Sequence, residues 1–230
     1  MKIFRAKYPS FLKLPYPERL TRIGNEKAIY LTFDDGPVPE ATPWVLELLS
    51  KYNAKATFFC IGDNVKKHPD IFRTIIEEGH CVGNHTFNHL DGWKTSVSDY
   101  LENTRQAEKI LIETGEQTKT HKPKTKNSEL KTPNYPLFRP PYGKIKNSQA
   151  RSLNKQGYRI VMWDVISGDY DQEFSAEECL ENVTRNATAG SIIVFHDSIK
   201  AMKNLKIILP KILQHYHNKG WEFRSLKDAL

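Results

Sequence analysis

Short, almost fully apolar runs alternate along the chain with longer stretches whose apolar positions recur at helical spacing, the pattern of parallel strands joined by crossover helices. Residues 28–33 (AIYLTF) read as a buried strand that stops abruptly at Asp34-Asp35-Gly36-Pro37. Thr42 precedes Pro43 as a cap and first-turn pair, and Trp44, Val45, Leu48 and Leu49 then recur on one helical side. Residues 56–61 predict a second strand and 70–78 a helix closed by Gly79. Residues 81–83 predict a short strand and 96–113 a helix closed by Gly115. Further strands at 137–139, 158–163 and 191–195 alternate with helices at 147–156, 175–187 and 202–218, the last ended by Gly220.

About seven such alternations in 230 residues suggest an α/β fold, a closed or nearly closed (β/α) barrel, with a doubly wound open sheet as the alternative. Both architectures gather chemistry at the carboxyl ends of their strands. The polar clusters fall there. Asp34-Asp35 follows the first strand, His85 and His89 the third, and Arg139 to Gly143 the next. Asp169 lies a few residues past Trp163, and His196-Asp197 directly follows Phe195.

Composition narrows the class. With 39% hydrophobic and 27% charged residues the chain is globular, and at this length it buries about 70% of its unfolded surface. The net charge of +7 is diffuse, without the basic aromatic stripe of a nucleic-acid binder. The densest basic stretch holds five lysines between Lys119 and Lys131, within residues 116–136, which read as an inserted polar loop. Three scattered cysteines, Cys60, Cys81 and Cys179, argue against a disulfide framework and a thiolate zinc site. The first residues lack the apolar core of a secretory signal, and no run approaches a membrane span, so a cytoplasmic location is the default expectation, with action at the cell envelope as the alternative.

His85-Thr86-Phe87-Asn88-His89 places two imidazoles at i and i+4, on one helical side or at the ends of a tight loop, where both reach one divalent ion. Alone, the pair also fits two surface or core histidines. Adjacent carboxylates at the tip of a buried strand repel unless a cation relieves them. One of them with the two imidazoles makes a three-ligand set with open positions, and the second is free to act as a base. A turn or helix cap is the competing reading of Asp-Asp-Gly-Pro. Phe138-Arg139-Pro140-Pro141-Tyr142-Gly143 is stiffened by two prolines, suiting either a fixed backbone N–H or a plain turn, and Arg139 could orient a carboxylate. A carboxylate beside His196 would hold it as imidazolium, the form a general acid needs.

These clusters, in this order, resemble the polysaccharide deacetylase family, carbohydrate esterases that remove N-acetyl groups from chitin oligomers, peptidoglycan and related glycans. Thr32-Phe33-Asp34-Asp35-Gly36-Pro37 and His85-Thr86-Phe87-Asn88-His89 carry the resemblance most specifically, and it extends from about Ala28 to the C-terminus. It implies a distorted (β/α) barrel of about seven parallel strands, with residues 1–27 as an extension packed on a catalytic domain over 28–230.

The resemblance further implies that Asp35, His85 and His89 bind one divalent ion, Zn²⁺ first, with Co²⁺ or Ni²⁺ as alternatives. Asp34 would be the base, Arg139 its orienter, His196 the acid and Asp169 the group that tunes it. The Tyr142 N–H would hold the oxyanion, and Pro141, Tyr142, Tyr170 and Val194 would contact substrate. The chain departs from the family pattern in carrying Tyr170 for Trp and Val194 for Leu, changes that bear on substrate preference, and in carrying Ile166 where the fourth motif's earlier Asp is usual, while the catalytic Asp169 remains. The implied partner is an N-acetylated glycan, not a nucleic acid. A glycan-binding module with a vestigial site, and a deacylase of O-acetyl esters or non-sugar amides, are the competing functions.

Overall fold

All seven residues of β1 (Ala28–Asp34) are buried, as expected of a strand covered on both faces. Ile29, Leu31 and Phe33 face a helical layer, whereas Tyr30, Thr32 and Asp34 face the interior of the sheet's curl. This computed structural model describes residues 5–12, 14–24, 26–117 and 137–229. After β1 come α1 (Thr42–Lys51), β2 (Ala56–Cys60), α2 (Gly62–Lys67), α3 (Pro69–Glu77), β3 (Cys81–Asn84) and α4 (Val97–Glu116). Then follow β4 (Leu137–Phe138), α5 (Asn147–Lys155), β5 (Arg159–Ile160), β6 (Val165–Ile166), α6 (Ala176–Thr184), β7 (Ile192–His196), α7 (Met202–Asn218) and β8 (Glu222–Phe223).

Seven strands pair in parallel in the order β5-β4-β3-β2-β1-β7-β6 and curl into a half-barrel, with β8 added beside the start of β1. The open sheet considered as the alternative does not form. The seam between β5 and β6 is bridged by the chain before β1. Tyr8 N donates to Asp164 O at 2.9 Å and Ile166 N to Ala6 O at 2.8 Å. On the other side Leu20 N donates to Ile160 O at 2.9 Å and Met162 N to Leu20 O at 2.7 Å. Among the described residues no helix is long and apolar enough to cross a membrane. Beyond Gln117, the polar loop expected over 116–136 lies outside the described residues.

Several local expectations change. Thr42 is the first helical residue of α1 and not its cap; its hydroxyl accepts from Val38 N at 2.8 Å and donates to Asp197. Gly115 does not close α4, which continues to Glu116 and packs Thr114 and Gly115 inward. The single strand expected over 158–163 is reduced to Arg159–Ile160, and the separate short β6 follows it. The free cysteines agree with the absence of a disulfide framework.

His80, on the edge of β3, is buried, and its Nδ1 accepts from Ala56 N at 3.2 Å. Burial first, and Lys55 second, lower its pKa from 6.5 to about 4. The folded state therefore holds it neutral while the unfolded chain protonates it, so its contribution is present above pH 6.5 and is lost as pH falls toward about 4. The unfolding free energy from urea titrations should drop across that window by up to about 1.4 kcal/mol per pH unit, and the urea midpoint with it. His80→Asn, whose Oδ1 can replace Nδ1 as acceptor, should show a flatter dependence; equal slopes in the two proteins would remove His80 as the cause.

Candidate active site

Strand register assembles the site. Asp34 pairs with His196 across β1 and β7, so the two side chains emerge side by side at the carboxyl ends of adjacent strands. Asn84 pairs with Phe138 across β3 and β4, which sets His85 beside Arg139 one residue further on. The helix allowed for His85 and His89 does not form. Thr86 and His89 take left-handed conformations, with φ of 64° and 56°, and wind the segment into a tight loop whose two imidazole centroids lie 5.1 Å apart.

Asp35, also left-handed at φ 81°, turns its carboxylate toward these rings. One donor atom from each of Asp35, His85 and His89 falls within 4.8 Å of the others. Asp35 Oδ1 is 3.2 Å from His89 Nε2 and 3.7 Å from His85 Nε2, yet this buried oxygen accepts no hydrogen bond. His85 Nδ1 lies 2.7 Å from Arg139 O, a carbonyl that can only accept, so the proton sits on Nδ1 and the Nε2 lone pair faces Asp35. Burial lowers the His85 pKa to about 4 and keeps the ring neutral. Burial would raise the Asp35 carboxyl, but the imidazoles of His89 first and His196 next hold it below the usual carboxylate range. A lone pair facing an ionised oxygen is relieved by a cation, and two nitrogens with one carboxylate fit a borderline divalent ion.

Asp34 is held apart from that cluster. Its Oδ1 accepts from Arg139 Nη1 at 2.7 Å, and Arg139 is only 1% exposed. The guanidinium also donates to Thr32 Oγ1 at 2.7 Å and Met162 O at 2.8 Å, and stacks 4.2 Å from the Phe59 ring centre. So many bonds fix its plane, and with it the direction of the Asp34 carboxylate.

On the other side, Asp169 Oδ1 lies 2.8 Å from His196 Nδ1 while its Oδ2 accepts from the His196 backbone N at 2.8 Å. Burial would lower the His196 pKa, but Asp169 outweighs it and raises the value to about 9. The ring is thus an imidazolium at neutral pH, with Nε2–H left for the cleft. Tyr170 stands against it with ring centres 4.7 Å apart.

Tyr142, at φ 59°, is 62% exposed and places its hydroxyl 3.1 Å from His89 Nδ1. Pro141 is buried, and Val194 is 1% exposed, so Val194 lies beneath the cleft and offers substrate no surface. Asp197 had no role assigned from sequence. Its Oδ1 accepts from Gly36 N at 3.1 Å and its Oδ2 from Thr42 Oγ1 at 2.5 Å, tying the Asp34-Asp35 turn to β7. Burial first, and Asp35 among the nearby charges, push its carboxyl up to about 8 against those hydrogen bonds. A Cβ at Gly36 would collide with this carboxylate, so glycine is required there by packing. The adjacency of Asp197 to His196 was the only sequence signal for it.

Residues 21–161 match the family model described as polysaccharide deacetylase. A peptidoglycan-N-acetylglucosamine deacetylase of Bacillus cereus is 35% identical over 207 residues, covering 90% of this chain and 89% of that protein. A chitooligosaccharide deacetylase of Azorhizobium caulinodans is 35% identical over 174 residues, 75% of each. The crystal structure of the Bc1960 peptidoglycan N-acetylglucosamine deacetylase matches with a TM-score of 0.82 and 30% identity, covering 97% of each chain.

Proposed function

The chain belongs to the polysaccharide deacetylase family and is an enzyme that N-deacetylates glycans, and we propose that its cleft does so on N-acetylglucosamine-containing oligomers with Asp35, His85 and His89 holding one ion, Zn²⁺ in the first instance. One observation carries this reading: an unpartnered carboxylate oxygen faces two imidazole nitrogens between a separately anchored carboxylate and a separately anchored imidazolium. The ion, when bound, supplies Lewis acidity at the amide carbonyl and acidifies water.

The chain's own groups carry the protons. Asp34, aimed by Arg139, takes one from the water as its oxygen adds to the acyl carbon. Pro140 and Pro141 have no N–H, so that of Tyr142 is the first donor after Arg139, and it serves the developing oxyanion. His196 passes its Nε2 proton to the departing nitrogen as the C–N bond breaks, leaving acetate and a free amino sugar. Asp169 then faces a neutral ring that must regain its proton before the next cycle. Tyr170, against His196, bounds the space for the acyl methyl.

Acetate release from chitooligosaccharides with added Zn²⁺, alongside elemental analysis, tests the reading. Release should cease on chelation and return with Zn²⁺, and one ion should be found per chain. Turnover of O-acetyl esters but not N-acetyl amides, or full activity in excess chelator, would overturn it.

A further inference from the structure

Beyond the His89 ring, Tyr142 and Trp93 form an aromatic ledge whose rings take no part in the proton transfers above. Tyr142 packs on His89 with ring centres 4.5 Å apart. Lys144 Nζ lies 5.5 Å from the Tyr142 ring centre and 5.5 Å from that of Trp93. Trp93 is 60% exposed, an unusual position for so large an apolar surface in a loop.

This loop is held rigidly. Asp91 accepts from Trp93 N at 3.0 Å through Oδ1 and from Lys144 Nζ at 3.0 Å through Oδ2. Gln149 Nε2 donates to Gly92 O at 2.9 Å, and Lys146 Nζ to Thr95 O at 2.7 Å. A Cβ at Gly92 would collide with the Lys144 carbonyl, so the two segments are in contact at the backbone. An exposed indole on a backbone fixed by this many bonds presents its face with little loop ordering left to supply on binding.

We infer that Trp93, with the Lys144–Asp91 pair beside it, forms a subsite for a second sugar ring of the glycan, adjoining the ring processed at Asp35, His85 and His89. A pyranose offers an apolar C–H face to an indole and a rim of hydroxyls that need a donor and an acceptor. Lys144 and Asp91 supply one of each. Because their charges balance, the ledge suits a neutral sugar and not the carboxylate of an acidic one. The inference rests on the deacetylase reading, since only a glycan substrate extends from one position to the other.

The test compares N-acetylglucosamine and chitopentaose, with Zn²⁺ present, in wild type, Trp93→Ala and Trp93→Phe, reading both calorimetric Kd and kcat/KM for acetate release. Wild type should favour the pentamer roughly tenfold, Trp93→Ala should lose most of that advantage, and Trp93→Phe should recover part of it. An undiminished length advantage in Trp93→Ala, or none in wild type, overturns the subsite. If wild type releases no acetate but binds the pentamer through Trp93, the subsite stands and the hydrolase reading falls.

Discussion

Asp34→Asn is expected to lower kcat by roughly 10³-fold while leaving bound metal unchanged, because it removes a proton acceptor without touching Asp35, His85 or His89. The amide keeps an oxygen for Arg139 but loses the charge opposite a guanidinium that is 1% exposed. Arg139 retains Thr32 and Met162 as acceptors, so the accompanying loss of stability should be on the order of 1–3 kcal/mol and not a failure to fold. Turnover, elemental analysis and urea unfolding on one preparation separate these effects. Near wild-type turnover would dismiss Asp34 as the base, and loss of metal would place it among the ligands.

The second large effect concerns His196. With its pKa raised to about 9, the acid form is present below that pH and is lost as pH rises through it, so kcat/KM should fall on an alkaline limb near 9. Asp169→Asn removes the largest of the groups that raise that pKa and leaves burial opposed only by the charges of Asp35 and Asp34. The limb should then move to lower pH, costing about 10-fold or more at alkaline pH and much less in mild acid. His196→Ala should instead lose about 10²- to 10⁴-fold at every pH, with no limb left. Rate profiles of the three proteins check this; an unmoved limb in Asp169→Asn would deny Asp169 its tuning role.

Much of the architecture was legible because β1, β2 and β7 are almost wholly apolar runs buried on both faces, and β1 and β7 end at the polar Asp34 and His196. What escaped had too little pattern to register. Val165–Ile166 and Glu222–Phe223 are two residues each, strands by virtue of their neighbours alone. The helix Gly62–Lys67 buries only Gly62 and Val65. In the cleft, the chemistry-bearing residue types stood out, but their mutual positions did not. That Arg139 lies across the interior, that Tyr142 leans on His89, and that Asp197 grips Gly36 all depend on which strand neighbours which, and the linear order does not specify that.

The bridged seam bears on how the molecule is made. Ala6, Tyr8 and Leu20 leave the ribosome well before their backbone partners at Ile160, Met162, Asp164 and Ile166. β1, β2 and β3 can zip together during translation, whereas closing this seam joins segments separated by most of the chain, a slow kind of contact to form. Until then the nascent protein carries an unpaired leading strip and, later, two bare strand edges, and this interval is when it is most exposed to chaperones and to mispairing with other chains.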